Sequence, residues 1–493
     1  MEETIPNWLT KRAHLTPDRI ALKFKGEEYS FQCVYDQSLK IARQLKGLHL
    51  KEGDFVGVLL KNHADTVFIL FGLQLLGVKT ILLNNRLTAD ELVYQLKDSK
   101  AKCLIYEQSF DFVVKNINKQ ILADLMTISK EALFGLEEQE VNAKEEFCLE
   151  NVCTVMYTSG TTGRPKGVLQ TYGNHWWSAI GSMLNLGLRE GDCWLLSVPF
   201  FHISGFSILI RGVIYGITVV LHESFDEKAA NDAIIHDRVT IMSVVSTMLV
   251  KMVDHLKDQS YPAYFRCMLL GGGPAPRTLL ETCAKKQIPV FQTYGMTETA
   301  SQIVTLAPEY SLSKLGSAGK PLFLAQLKIK TVTGNEAAPY ETGEIVVKGP
   351  NVTKGYLNKM NETKEKIQAG WLYTGDIGYL DHEGFLFVLD RRSDLIISGG
   401  ENIYPAEIES VLLGHAKVDD AGVIGVDDVK WGQIPVGFVV LKSNANVNEN
   451  DLLEYCQKKL AKYKVPKKII FLQQLPRNAS RKLLRRKLRD YYR

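Results

Sequence analysis

Nothing in this 493-residue chain supplies a disulfide framework, a membrane span or a repeat. Its eight cysteines stand at 33, 103, 148, 153, 193, 267, 283 and 456, and no two have CxxC spacing. That excludes a stapled mini-domain, argues against a zinc site and fits reduced thiols in the cytoplasm. Apolar runs are short. Val67–Val78 falls below the ~18 residues of a spanning helix, and Phe206–Leu221 is broken by Arg211. The chain opens Met1-Glu2-Glu3 without a basic-then-apolar stretch, so no secretory leader is expected. Charge of one sign is also scarce, because 59 Lys+Arg against 55 Asp+Glu leave a net +4. The exception is 477–493, with eight Lys/Arg and Asp490 alone opposing them. Few aromatics interleave there and no basic stripe continues elsewhere, so a solvated face or a small phosphate ligand is preferred to nucleic acid.

The length allows two to four globular units, at roughly 150 residues each. Ser30 is a candidate cap for a helix carrying Val34, Ile41, Ala42 and Leu45 at helical spacing. A strand is expected over Phe55–Leu60, a helix over Asp65–Leu76 ended by Gly77, and a strand over Thr80–Leu83. Strand patterns return at Asp192–Val198, Ile217–Leu221, Thr240–Val245 and Cys267–Leu270. Strands separated by helices of this length indicate α/β layers with a largely parallel sheet. From about Gln326 the texture becomes β-rich, with strands expected over Leu327–Thr331, Gly343–Lys348, Tyr373–Asp376 and Phe385–Leu389. The last hundred or so residues alternate again, helical over Ala406–Leu413 and extended over Ala421–Val426. The expected division is a large N-terminal domain, 1–389, and a small α/β C-terminal domain, 390–493.

One segment carries most of the chemistry: Tyr157-Thr-Ser-Gly-Thr-Thr-Gly-Arg-Pro-Lys-Gly167. Thr158, Ser159, Thr161 and Thr162 supply hydroxyls, and Gly160 and Gly163 expose backbone N–H groups. Lys166 adds a point charge, and together these suit phosphate oxygens. It is no Walker A loop, since Gly167 rather than Ser/Thr follows the lysine. Gly271-Gly272-Gly273 after a Leu-rich strand would let backbone approach a ligand closely, although a plain turn reads nearly as well. On its own His202, after two phenylalanines, reads more readily as a core histidine than as a site residue.

The glycine-rich segment resembles the signature of the adenylate-forming superfamily, which holds acyl-CoA synthetases, adenylation domains of peptide synthetases and luciferases. Five further matches follow in the family's order over nearly the whole chain: Phe200-Phe-His-Ile-Ser-Gly205, Tyr294-Gly-Met-Thr-Glu298, Tyr373-Thr-Gly-Asp376, Asp390-Arg391 and Pro476-Arg-Asn-Ala-Ser-Arg-Lys482. The resemblance implies binding of ATP, Mg²⁺ and a thiol such as CoA, a mobile C-terminal domain, and no nucleic acid or membrane partner; a homodimer stays open. It places adenine near Thr293, Tyr294, Gly295, Met296 and Thr297, with the Tyr294 ring as a flat face for the base. Mg²⁺ falls to Glu298 and ribose to Asp376, with Arg391 of the hinge motif also among the ATP/AMP-binding residues. His202 would stand beside the reacting carboxylate. Asp390 would be the hinge, Ser398, Gly399 and Gly400 would approach the thiol arm, and Lys482 would be the catalytic lysine. One departure is Arg481, where the family usually has glycine.

Longer runs, among them Gln292–Leu306 and Asp394–Pro405, resemble the branch of acid–CoA ligases that serves bacterial menaquinone biosynthesis. That branch implies an acid with a second, unreacted carboxylate. Hydroxyls of Ser204, Ser246, Thr293 and Ser301 are candidates to bind it, with satisfaction by backbone equally open. The alternatives are a ligase for another aryl or fatty acid, an adenylation enzyme loading a carrier protein, and a silent nucleotide-binding homologue.

Overall fold

The computed structural model describes residues 3–121, 125–158, 164–272, 275, 277–331, 333–390, 396–403, 405–443, 445–476, 483 and 485–492. These form sheets of two, seven, fourteen and five strands. In the seven-stranded sheet Val152–Thr158, Lys79–Leu82, Phe55–Leu59, Cys103–Tyr106 and Met126–Ser129 run in parallel as neighbours. Parallel pairing in the fourteen-stranded sheet joins Thr218–Leu221, Cys193–Leu196, Ile241–Val245, Cys267–Gly271 and Val290–Met296.

Local chemistry explains the elements. The Ser30 hydroxyl accepts from the N–H of Cys33 at 3.1 Å and starts the helix Phe31–Lys46. That helix buries Phe31, Val34, Ser38, Ile41, Ala42 and Leu45, one face at 3.6-residue spacing. The helix Ala64–Leu75 is buried nearly all round and shares one core with Val56 and Val58 of the first sheet and Trp194, Leu196 and Val219 of the second. Each such side chain contributes roughly 1.5–3 kcal/mol on burial, which locks the two sheets together.

The β-rich region begins earlier than its composition indicates. Ser301–Leu306 and Ser317–Pro321 already pair antiparallel, and through them the strands after Gln326 continue the parallel sheet rather than forming a separate one. Gly295 and Ser301 make the sharp return. A Cβ on Gly295 would lie 2.1 Å from the Ser301 carbonyl oxygen, so only glycine allows this approach.

The C-terminal sheet runs Glu401–Ile403, Ile396–Ser398, Gly432–Leu441 and Val418–Asp428, with Lys468–Phe471 parallel to Gly432–Leu441. It has its own core, including Ile396, Ile403, Ile408, Val423, Val439 and Leu452. It docks on the larger part of the molecule through polar contacts: Asn84 donates to the Tyr463 hydroxyl at 3.3 Å, and Thr88 to the Lys459 carbonyl at 3.4 Å. No helix among the described residues is long and apolar enough to cross a membrane.

Candidate active site

A cavity of about 1150 Å³ opens where the parallel strands of both large sheets end. Lys61 and Asn62 follow Phe55–Leu59, Asn85 and Arg86 follow Lys79–Leu82, and Thr158 ends its own strand. Ser197 and Val198, Val245, Gly271 and Met296 stand at the matching ends in the second sheet. Ligands gather at this edge of parallel sheets because loops and exposed backbone groups converge there.

On one side the lining suits a nucleotide. Thr158, Lys166, Gly271, Gly272, Thr293, Gly295, Met296, Thr297, Glu298 and Asp376 all face the cavity. Lys166 Nζ lies 5.6 Å from the Tyr356 ring centre and 3.9 Å from Glu362. The Tyr356 hydroxyl donates to Glu298 at 3.1 Å. Asp376 is buried and accepts from the Tyr294 hydroxyl at 2.7 Å. Tyr294 is 6% exposed and does not line the cavity. The buried tyrosine fixes Asp376 on the cavity wall.

Another stretch of the wall is polar and carries a buried cation. His202, Ser204, Ser243, Ser301, Gln302 and Arg211 line it. Ser246 does not; it starts the helix Ser246–Leu256 beside the lining residue Val245. The Thr293 hydroxyl already donates to the Val304 carbonyl at 2.9 Å, so backbone satisfies it. Arg211 was legible only as the charge interrupting an apolar run. Here it is 1% exposed, stacks over Trp194 at 5.5 Å and donates to the Ser178 hydroxyl at 3.3 Å. Among the described residues its Nε, both amide atoms of Gln302 and the Ser197 hydroxyl find no partner. Burial lowers the Arg211 pKa while Tyr215 raises it. Burial, then Arg211, pushes neighbouring His175 down to about 3, so that imidazole is neutral. Among the described residues no carboxylate pairs with Arg211. A buried, unmatched guanidinium is costly, so an anion is the natural occupant.

The third wall comes from the C-terminal sheet. Gly399, Gly400, Glu401, Lys430 and Trp431 line the cavity opposite Arg86, while Ser398 is buried behind them. The Gly399 N–H donates to the Trp431 carbonyl at 2.8 Å. Gly399 sits at φ +56°, and a Cβ there would lie 2.8 Å from the indole. Glu401 is buried, ion-pairs with Arg86, and lies 3.2 Å from His202 Nε2. Burial alone would raise its pKa, but His202, Arg86 and Lys464 outweigh that and hold it below the usual range. Arg86, Trp431, Arg211 and Gln302 were not singled out from sequence.

Ser159, Gly160, Thr161, Thr162, Gly163, Gly273, Arg391 and Lys482 lie outside the described residues, as does the side chain of Asp390. The backbone of Asp390 ends the strand Leu386–Asp390.

A family model for AMP-binding enzymes matches residues 9–357, and one for the C-terminal domain of AMP-binding enzymes matches 407–482. The chain is 55% identical to a 2-succinylbenzoate–CoA ligase of Geobacillus sp. (strain WCH70), covering 99% of this chain and 98% of the relative. It matches a double mutant of o-succinylbenzoate CoA synthetase from Bacillus subtilis bound to a product analogue, with TM-score 0.94, 50% identity and coverage of 99% and 98%. The same Bacillus subtilis enzyme in complex with its acyl-adenylate intermediate matches at TM-score 0.78, 50% identity and 99% coverage of both chains.

Proposed function

The chain belongs to the AMP-binding enzyme family, and from that footing we propose that it is an acid–thiol ligase of menaquinone biosynthesis. It activates 2-succinylbenzoate with ATP as an acyl-adenylate, then passes the acyl group to CoA. The products are 2-succinylbenzoyl-CoA, AMP and pyrophosphate.

In the first half an oxygen of the acid bonds to the α-phosphorus as the bond to pyrophosphate breaks. A carboxylate is a weak nucleophile, so orientation and neutralised phosphate charge supply the acceleration. Lys166 and Thr158 line the cavity, and in this reading they meet the phosphates. Asp376, fixed by Tyr294, accepts from ribose hydroxyls. Glu298 is a single hard carboxylate on the wall, and no trio of metal-ligating side chains occurs among the described residues. That suits Mg²⁺ shared with phosphates and water, which when bound offsets phosphate charge. Lys482 supplies a further cation to this half by resemblance, with Asp390 and Arg391 at the hinge.

In the second half the CoA sulfur bonds to the acyl carbon and AMP leaves. Gly399, Gly400, Lys430 and Trp431 frame the way in for the thiol arm, and Glu401 holds His202 at the acyl wall. Eight unpaired cysteines are in keeping with a cytoplasmic enzyme.

Arg211 carries the choice of acid. A fatty acid would leave its buried charge unmatched, whereas the unreacted carboxylate of 2-succinylbenzoate pairs with it. The test is incubation with 2-succinylbenzoate, ATP, Mg²⁺ and free CoA, with products identified by mass. The acyl-CoA thioester and AMP are expected; transfer to a carrier protein but not to free CoA would favour the carrier-loading reading.

A further inference from the structure

Lys464 is 4% exposed, yet its Nζ donates to Oε1 of Glu91 and to Oε1 of Glu407, each at 2.8 Å. Glu91 lies on the helix Ala89–Ser99, within the stretch matched by the larger family model. Glu407, on the helix Pro405–Leu413, and Lys464 lie within the C-terminal match. The lysine therefore bridges the two parts of the molecule. None of the three lines the cavity.

Glu91 is held in place from its own side, since its Oε2 accepts from the N–H and hydroxyl of Thr88 at 2.8 and 2.9 Å. Burial would raise Glu91, but Lys464 outweighs it and the carboxyl is lowered, while burial pushes Glu407 up to about 7. Glu91 is thus the ionised partner, and the Glu407 carboxyl also hydrogen-bonds to it. A buried pair is strongly destabilised when one member is removed, so this contact is made or lost as a unit.

The two Bacillus subtilis structures match this chain at equal identity but at TM-scores of 0.94 and 0.78. The larger part, 1–389 of 493 residues, is about four-fifths of the chain. Superposition of that part alone would lower the score by about this much, so the two structures differ in where the smaller part sits.

We propose that the Lys464–Glu91 ion pair is a positioning contact that holds the C-terminal domain in the thioester-forming arrangement and takes no part in adenylate formation. This rests on the ligase reading above. Glu91→Gln isolates the charge, because glutamine still serves the Thr88 capping box. Two half-reactions are measured separately: pyrophosphate release from ATP with 2-succinylbenzoate in the absence of CoA, and single-turnover thioester formation from supplied acyl-adenylate and CoA. Glu91→Gln slows the second about tenfold and leaves the first within about twofold of wild type. Glu91→Lys, which opposes two cations, slows the second about a hundredfold with the same sparing of the first. Equal losses in both halves, or none in either, overturn the positioning role. A wild-type chain that releases no pyrophosphate overturns the ligase reading instead.

Discussion

His202 and Glu401 meet across the boundary between the two parts of the molecule, with Nε2 of the histidine 3.2 Å from Oε2 of the acid. His202 immediately precedes the helix Ile203–Tyr215 on the cavity wall, and Glu401 begins a strand of the C-terminal sheet. The contact exists only while that sheet covers the cavity. Under the proposed reading its chemistry belongs to the second half-reaction.

Glu401→Gln removes the charge that faces His202 and Arg86 together. Thioester formation from supplied acyl-adenylate is expected to fall about 10–100-fold, with pyrophosphate release nearly unchanged. Because the Glu401 pKa is depressed, its contribution is complete above the ordinary carboxylate range and is lost only as pH falls through the lower value. A thioester rate profile between pH 6 and 8 should therefore show no Glu401 titration.

Glu407 has the opposite sign. Burial raises its carboxyl to about 7, so the folded chain takes up a proton between the ordinary glutamate value and 7. Its contribution to stability falls as pH rises through that window and levels off above it. Thermal midpoints of Glu407→Gln relative to wild type should rise across pH 5–7.5, then hold constant.

Arg211→Met keeps the packing on Trp194 but deletes the buried cation. The measurement is kcat/KM for 2-succinylbenzoate against the mono-acid that lacks its unreacted carboxylate. The wild-type preference should shrink by about a hundredfold, with ATP binding unaffected. An unchanged preference would assign the second carboxylate elsewhere.

Gly399→Ala places a Cβ 2.8 Å from the Trp431 ring at a φ of +56°, so the turn must shift. KM for CoA should rise about tenfold while the rate of adenylate formation stays constant.

Much of this site was readable because its residues sit in short local runs. Lys166, Glu298 and Asp376 each lie in a contiguous motif, and the structure brings them to one cavity. Arg86, Arg211, Gln302 and Trp431 come from four separate segments with no local signature, so only folding gathers them. Tyr294 packs among neighbouring strands and donates to Asp376, a pairing between two motifs that neither shows alone. Ser246 missed the cavity by one residue of register beside Val245. Among the strands, Phe55–Leu59 and Gly343–Lys348 follow their apolar patterns closely. Ser317–Pro321 does not, because Gly319 and Pro321 read as a turn and its pairing is supplied by neighbours distant in sequence.

In the proposed reaction an organic acid is joined to the innermost phosphorus of ATP before it meets the thiol. The measurement is the mass of AMP formed from 2-succinylbenzoate carrying ¹⁸O in both carboxylates, with unlabelled ATP and CoA. AMP heavier by one ¹⁸O per turnover is expected. Unlabelled AMP accompanying full thioester formation would contradict it.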